Sequence, residues 1–416
     1  MTTRSIAVIG AGIVGVQIAR ALQGEGYTVD LYERAGPGQG TSFGNAGYMA
    51  IDEIFPLAHG RVLRRLPRML FDPRSPLSVR ASELPRLVPW LARYARACST
   101  ARARTGIDAL ARLQRHAGRA WRDVVERDGL LDLVRAHGAL EVFESPRAFA
   151  ANAGERAEQR ARGHELIELN AEQIVRRVPE LGRRGRHAIY YPRALHTVSP
   201  LALTEAILAR FLAEGGRVHA LEVTRLDVDS SGSVKLWHRA GCLDAPLAVV
   251  ATGHASARLL EPLGYRVPLV AERGYHVEVV ARELGFDLPV GFHERGFYMT
   301  PMRSGLRLAG TTEFVSAAHE VPPNWARADI LLRHLRELMP SVNAPESSRW
   351  MGARPTLPDF VPVIGRAPRH PRLLLAFGHQ HLGLTLSAIT AEAIAALAGG
   401  RSPPFDLSAY DLARFA

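Results

Sequence analysis

The sequence predicts an α/β fold: a parallel-sheet domain rebuilt from several chain segments, joined to an α+β domain on an antiparallel sheet. Three observations carry this. A length of 416 residues is more than one compact core accommodates and implies two domains. The chain opens with an apolar, β-branched run, a glycine turn and an amphipathic helical pattern. From about residue 266 to 315 the pattern changes to short alternating strands separated by turn residues.

The opening segment is read in order. Ser5 to Ile9 forms a strand, and Gly10-Ala11-Gly12-Ile13-Val14-Gly15 follows it at once. A helical pattern through Val16, Ile18, Ala19 and Leu22 stops near Gly24 and Gly26, and a second strand from Thr28 to Tyr32 ends on Glu33. Gly10 permits the tight turn, Gly12 removes a side chain where a pyrophosphate must approach, and Gly15 lets helix and strand pack closely. The free amides and positive dipole end of the helix suit an anion. Glu33, 18 residues after Gly15, stands where a carboxylate accepts hydrogen bonds from ribose hydroxyls. This is a Rossmann-like dinucleotide fingerprint. Its position at the start of the chain, without a second copy, favours a tightly held FAD over NAD.

Residues 60 to 135 read as arginine-rich helix broken by Pro67, Pro73, Pro76, Pro85 and Pro89. Gly138 to Phe143 reads as a strand and 147 to 160 as a polar helix. A helix from Pro200 to Glu214 leads into strands at Arg217 to Val223, Val234 to His238 and Leu247 to Ala251. The alternating strands are Gly274 to Val280, Gly296 to Pro301 and Leu306 to Thr311. A helix at 324 to 338 follows, then loops and a last apolar helix from Leu384 to Ala398. Segments 1–55, 190–265 and 345–416 are assigned to the nucleotide-binding domain, and 56–189 with 266–344 to a substrate-binding domain with a helical insertion.

Composition narrows the class. At 47% hydrophobic and 22% charged residues the chain reads as an ordinary globular enzyme. Its net charge of +11 invites a nucleic-acid or anionic-membrane reading. Lys235 is the only lysine, however, and such one-sided arginine usage reflects base composition. No nucleic-acid-binding module is recognisable. The basic stretch Arg61 to Arg96, with Trp90 and Tyr94 among arginines, offers a peripheral contact with an anionic membrane. Cys98 and Cys242 have no metal-ligand spacing and fit a reducing compartment. With no leader pattern, and no run of about 18 apolar residues read in a chain whose last helix carries Glu392, the expected location is cytoplasmic, at most on the inner face of the membrane. No metal site is expected.

Further motifs carry a resemblance. Gly40-Thr41-Ser42-Phe43-Gly44-Asn45-Ala46-Gly47-Tyr48 follows the fingerprint. Leu247 to Gly253, Arg273-Gly274-Tyr275, Tyr298-Met299-Thr300-Pro301, Leu306 to Phe314, Gly352-Ala353-Arg354-Pro355, Asp359 to Gly365 and Gly378-His379-Gln380-His381-Leu382-Gly383 come later in order. Together they resemble the D-amino-acid dehydrogenase branch of the D-amino-acid oxidase (DAO) superfamily of FAD-dependent oxidoreductases. The resemblance spans nearly the whole chain. It implies FAD held by Gly10, Gly12, Ile13, Val14, Gly15, Glu33, Arg34, Thr41, Ser42, Asn45, Ala46, Gly47, Val223, Ala251, Thr252 and Gly253. From the C-terminal segments it adds Gly352, Gly378, His379, Leu382, Gly383, Leu384 and Thr385.

The implied activity is oxidation at CH–NH or CH–NH2: hydride passes from a D-amino or cyclic imino acid to flavin, giving an imine and then a 2-oxo acid. The flavin carries the hard step and the protein orients the substrate. Arg354 matches the position that clamps the substrate carboxylate, a role for which the planar guanidinium fork is suited. Tyr298 matches a carboxylate-binding hydroxyl, and His381 a substrate-proximal basic residue that, as a neutral histidine, would hydrogen-bond a polar group of the substrate. Tyr48, Tyr275, His276 and Glu313 are further pocket candidates. The N-terminus of the last helix would stabilise charge on the reduced ring.

Two departures bear on substrate. Tyr48 replaces more polar residues after Asn-Ala-Gly, and Leu195 to Pro200 lacks acidic or glycine-rich character. Gly-Ala-Arg-Pro and Gly-His-Gln-His-Leu-Gly are closer to a subgroup that includes hydroxyproline-degrading dehydrogenases. The electron acceptor stays open among a quinone, a carrier protein and oxygen. An oxygen-using oxidase of glycine, sarcosine or D-proline, or a flavoprotein subunit of a larger complex, are the alternatives.

Overall fold

A computed structural model describes residues 5–60, 75–281, 283–316 and 321–416. Pro67, Pro73 and the Arg61–Arg74 part of the basic stretch lie outside the described residues. In chain order the strands are β1 (Ser5–Ile9), β2 (Thr28–Glu33), β3 (Tyr48–Met49), β4 (Leu77–Val79), β5 (Val134–Arg135), β6 (Ala139–Phe143), β7 (Ile167–Asn170), β8 (His187–Tyr191), β9 (Leu195–Thr197) and β10 (Arg217–Ala220). They continue with β11 (Arg225–Val228), β12 (Val234–His238), β13 (Gly241–Ala245), β14 (Ala248–Val250), β15 (Val270–Val279), β16 (Val290–Phe292), β17 (Phe297–Met302), β18 (Gly305–Ser316), β19 (Glu346–Thr356), β20 (Val363–Ala367) and β21 (His370–Phe377).

The nucleotide side is a six-stranded sheet in the order β10-β2-β1-β14-β21-β20. Every pair is parallel except β20–β21. β1 and β14 are buried, as strands covered on both faces must be. The helix Ile13–Gly24 packs beside the C-terminal helix Gly383–Ala398. That last helix corrects one expectation: Gln380–Ala398 is long and apolar enough to cross a membrane by composition, at 19 residues and mean hydropathy 1.4. One glutamate does not cancel so many alanines and leucines. The protein's own fold covers it, with Leu386, Ile389 and Ile394 each 0% exposed.

The second sheet runs β19-β15-β18-β17-β16-β6-β8-β7, with β4 added alongside β18. It is antiparallel apart from β16–β6 and β18–β4. The expected strands at 274–280, 296–301 and 306–311 are present, and two extend further. The expected loops after residue 345 are instead strands β19, β20 and β21. β19 also corrects the domain boundary. It pairs residue by residue with β15, so 346–356 belongs to the substrate-side sheet. β8, at 187–191, likewise stays in that sheet.

Pro85 sits in the first turn of the helix Leu84–Ala97, and Pro89 lies inside it without ending it. The missing bond is outweighed by an apolar face of Leu87, Trp90 and Tyr94 packed with Phe360. This burial also corrects the reading of Trp90 and Tyr94 as membrane-facing aromatics. They are 6% and 4% exposed and stack on each other at 5.4 Å. The polar helix expected over 147–160 is two helices, Pro146–Ala151 and Ala153–Ala161, broken at Asn152.

Candidate active site

A groove of about 360 Å³ runs over the glycine turn, and a cavity of about 730 Å³ opens beside it. Thr41, Asn45 and Gln380 line both, so the two adjoin. The groove is lined by Gly10, Gly12, Ile13, Val14, Glu33, Arg34, Thr41, Ser42, Asn45, Val223, Ala251, Thr252, Gly253, His379, Gly383 and Leu384. Ala46, Gly352, Leu382 and Thr385 line the cavity instead. Gly15, Gly47 and Gly378 line neither; they act from behind the walls. A Cβ on Gly15 would lie 1.8 Å from the Gly10 carbonyl oxygen. Gly10 and Gly47 hold positive φ, 100° and 76°, that other residues rarely adopt.

The groove fits a dinucleotide. The N–H groups of Gly12 and Val14 have no partner among the described residues, and a Cβ on Gly12 would project toward Ser42 Oγ, 3.2 Å away. Ser42 Oγ accepts the Ile13 N–H at 3.0 Å and so completes the helix start. Glu33 braces the turn: its carboxylate accepts the N–H groups of Ala11 (2.8 Å) and Ala35 (3.1 Å). Each oxygen keeps a second lone pair for a ribose hydroxyl. β10 stops at Ala220, short of the expected Val223, which leaves Leu221 to Val223 to wall the groove. Arg34 is half exposed beside Glu222. Thr41 donates to the Ala353 carbonyl at 2.8 Å, tying the nucleotide loop to the strand of Arg354. His379 is buried, paired with the Thr390 hydroxyl at 3.0 Å, and burial lowers its pKa to about 3. It is neutral.

The cavity brings Arg354, Tyr298, His381, Tyr48 and Tyr275 together. β19 places Arg354 opposite Glu272 on β15. Arg354 Nη1 donates to Glu272 Oε1 at 2.9 Å, and Thr356 donates to Glu272 Oε2 at 2.8 Å. A Cβ on Gly274 would lie 2.5 Å from Arg354 Nη2, so only glycine leaves the guanidinium its place. One edge of the fork is thus fixed while other N–H groups face the cavity. The Tyr298 hydroxyl has no hydrogen-bond partner among the described residues, and burial pushes its pKa well above the usual phenol value. It is a neutral donor. His381 Nε2 pairs with Glu53 Oε1 at 2.9 Å. Burial opposes charge on this ring, but the Glu53 charge and hydrogen bond outweigh it, so the pKa is raised.

Two pocket candidates are corrected. His276 lies outside the cavity lining; it is sandwiched near Phe43 and Trp350 and bonded through Nδ1 to the Gly44 carbonyl. Burial lowers its pKa to about 4. Glu313 also lies outside the lining. Its carboxylate is fully buried against Arg80 (2.6 Å) and the Tyr275 hydroxyl (2.9 Å), where it braces β18. Sequence reasoning missed Glu272, Glu53 and Asp52. The partners of the first two are 82 and 328 residues away, so no local signal marks them. Among the described residues the non-glycine positions with positive φ are Thr311, Phe360 and Gln380, and all three line this cavity. Backbone strain of this kind concentrates at functional sites.

A dinucleotide groove adjoining a cavity that holds an oriented arginine defines the class: a dinucleotide-binding protein with an anion-binding cavity beside the cofactor groove. The profile of the DAO family, "FAD dependent oxidoreductase", matches residues 5–397, and the chain belongs to that family. It is 33% identical over 99% of both chains to a D-amino-acid oxidase of Bradyrhizobium diazoefficiens. It is 32% identical to D-amino acid dehydrogenase 2 of Ralstonia nicotianae, over 98% of this chain and 100% of that one. Glycine oxidase from Geobacillus kaustophilus shares the fold at TM-score 0.75 and 22% identity, covering 99% of each chain. L-proline dehydrogenase from P. horikoshii shares it at TM-score 0.76 and 18% identity, over 99% of this chain and 98% of that one.

Proposed function

We propose that the protein oxidises D-amino acids: bound FAD would supply the hydride acceptor, the amine losing a hydride from its carbon and a proton from nitrogen to give an imine, which water hydrolyses to a 2-oxo acid and ammonia. The observation that carries this reading is Arg354, held by Glu272 in a cavity that adjoins the dinucleotide groove. Its free guanidinium edge takes the substrate carboxylate through charge-assisted hydrogen bonds. The neutral Tyr298 hydroxyl donates to the same carboxylate. Fixing the carboxylate presents the α-carbon toward the groove and removes orientational freedom before the chemical step. Gly10, Gly12, Ser42, Glu33 and Val223 hold the nucleotide portion of FAD in this reading.

The test is anaerobic bleaching of the bound flavin by a panel of D- and L-amino acids, including D-proline, D-hydroxyproline, glycine and sarcosine. Rapid bleaching by D-compounds is the expected result. A bound flavin that none of them reduces overturns the reading. The loop Gly378 to Gly383 supports a second reading, in which a cyclic imino acid such as D-hydroxyproline is preferred, and the same panel decides it. Reoxidation by dissolved oxygen compared with a soluble quinone assigns the acceptor.

A further inference from the structure

The cavity inverts the charge of the chain around it. In a protein of net charge +11, Arg354 is the only arginine or lysine among the described residues lining it. Six carboxylates line it: Asp52, Glu53, Glu141, Glu155, Glu272 and Glu294. Arg354 answers Glu272, His381 answers Glu53, and His293 answers Glu141 at 2.8 Å. Asp52 has no such partner. It is 8% exposed, and its Oδ1 accepts the Tyr48 hydroxyl at 2.7 Å. Gln159 reaches only its backbone carbonyl. No cationic side chain among the described residues pairs with its carboxylate. A buried carboxylate without a counter-ion is costly unless something else supplies the charge.

The space and walls around Asp52 suit a long side chain. The volume of about 730 Å³ holds the flavin ring as well as the substrate, and its far wall, at Tyr48, Asp52, Glu141, Gln159 and Tyr191, is available to a side chain. Tyr48 and Tyr298 lie with ring centroids 5.2 Å apart, and Tyr191 joins them in the lining. Such faces pack alkyl chains and attract cations. Arg354 stands near the His381–Glu53 pair, since its charge acts on His381, and Glu53 in turn acts on Asp52. Arg354, the His381–Glu53 pair and Asp52 thus line one cavity.

We infer that this wall is a side-chain subsite for a cation, with Asp52 as its counter-ion, so that the preferred substrates are D-amino acids ending in a basic group. This rests on the reading of the protein as a D-amino-acid oxidoreductase. The basic end supplies the charge that Asp52 lacks, while the α-carboxylate stays on Arg354. Burial holds the Asp52 carboxyl up to about 7, with Glu53 and Glu141 adding to the rise and the Tyr48 hydroxyl opposing it. Tyr191, Tyr298, Gln159 and the two histidine–glutamate pairs complete its surroundings. The preference for cationic side chains therefore grows as pH rises through about 7 and fades below it.

The experiment compares kcat/KM for D-lysine and D-arginine with their uncharged counterparts D-norleucine and D-citrulline, using the FAD-loaded protein, at several pH values. The expected result is a preference of roughly tenfold or more for the charged member of each pair, with the pH trend above. Asp52→Asn is expected to collapse that ratio by a similar factor. Equal or better use of D-norleucine and D-citrulline by the wild-type protein overturns the inference, and needs no variant. A loss in Asp52→Asn that is equal for all four substrates also overturns it, placing Asp52 against the α-amino group instead. If none of the four reduces a flavin that another D-amino acid bleaches, the subsite inference is overturned; if no D-amino acid bleaches it, the underlying reading has failed instead.

Discussion

Arg354 is one arginine among many, and what singles it out is its setting. Glu272 pins Nη1, Thr356 holds Glu272, and Gly274 clears room beneath the guanidinium. A lysine would keep the charge but lose the fork. Arg354→Lys is therefore expected to lower kcat/KM for a D-amino acid by roughly 10- to 100-fold, chiefly through KM. An unchanged KM in steady-state kinetics would remove the carboxylate role. His381 gives a second residue-scale prediction. Glu53 raises its pKa against the effect of burial, so Glu53→Gln lets that pKa fall. The raised value in the folded state stabilises the fold below the unfolded pKa of about 6.5, and that contribution is lost as pH rises through the folded value. Urea midpoints measured against pH should fall for Glu53→Gln on the acid side only. A uniform drop across the range would assign Glu53 a packing role.

At the scale of elements, the glycine turn separates two kinds of necessity. Gly15 faces the Gly10 carbonyl, where a Cβ would sit 1.8 Å from oxygen; Gly12 meets only the Ser42 hydroxyl at 3.2 Å. Gly15→Ala is expected to destabilise the fold by about 1–3 kcal/mol or more, as overpacked sites do. Gly12→Ala should leave the urea midpoint nearly intact and weaken FAD binding at least roughly tenfold by titration, because the backbone amides there have no protein partner. A Gly12→Ala protein that binds FAD normally would show that the pyrophosphate lies elsewhere. This strand–turn–helix–strand unit was legible because all its signals are local: β-branched residues, spaced glycines and a terminal acid within thirty residues. β19 was not legible, because Ser347-Ser348-Arg349-Trp350 carries little apolar alternation and its pairing with β15 is set across the chain. The same cause hid Glu272 and Glu53. Glu313 and His276 were misplaced because a strand's two faces could not be assigned without that register.

For the molecule as a whole, the groove is assembled from distant pieces: residues 9–14, 32–45, 221–223, 251–255 and 376–384 each supply part of the lining. The Thr41–Ala353 bond then fastens the second piece to the strand of Arg354. Trp121 joins in from the helix Thr100–Asp128, its Nε1–H reaching the Leu384 and Thr385 carbonyls at 3.0 and 3.1 Å. These contacts hold the start of the C-terminal helix against the cavity. A ligand that bridges such segments binds the folded state alone, so its binding free energy adds to stability as RT ln(1 + [L]/Kd). Removing FAD should lower Tm, and restoring it at about 100 times Kd should return roughly 2.7 kcal/mol. Arg354→Lys should regain that stability in full, because it acts on the substrate, whereas Gly12→Ala should regain it only at higher FAD concentration. Thermal scans across an FAD series distinguish these. A Tm that ignores FAD in the wild-type protein would mean that the segments lock together without the cofactor.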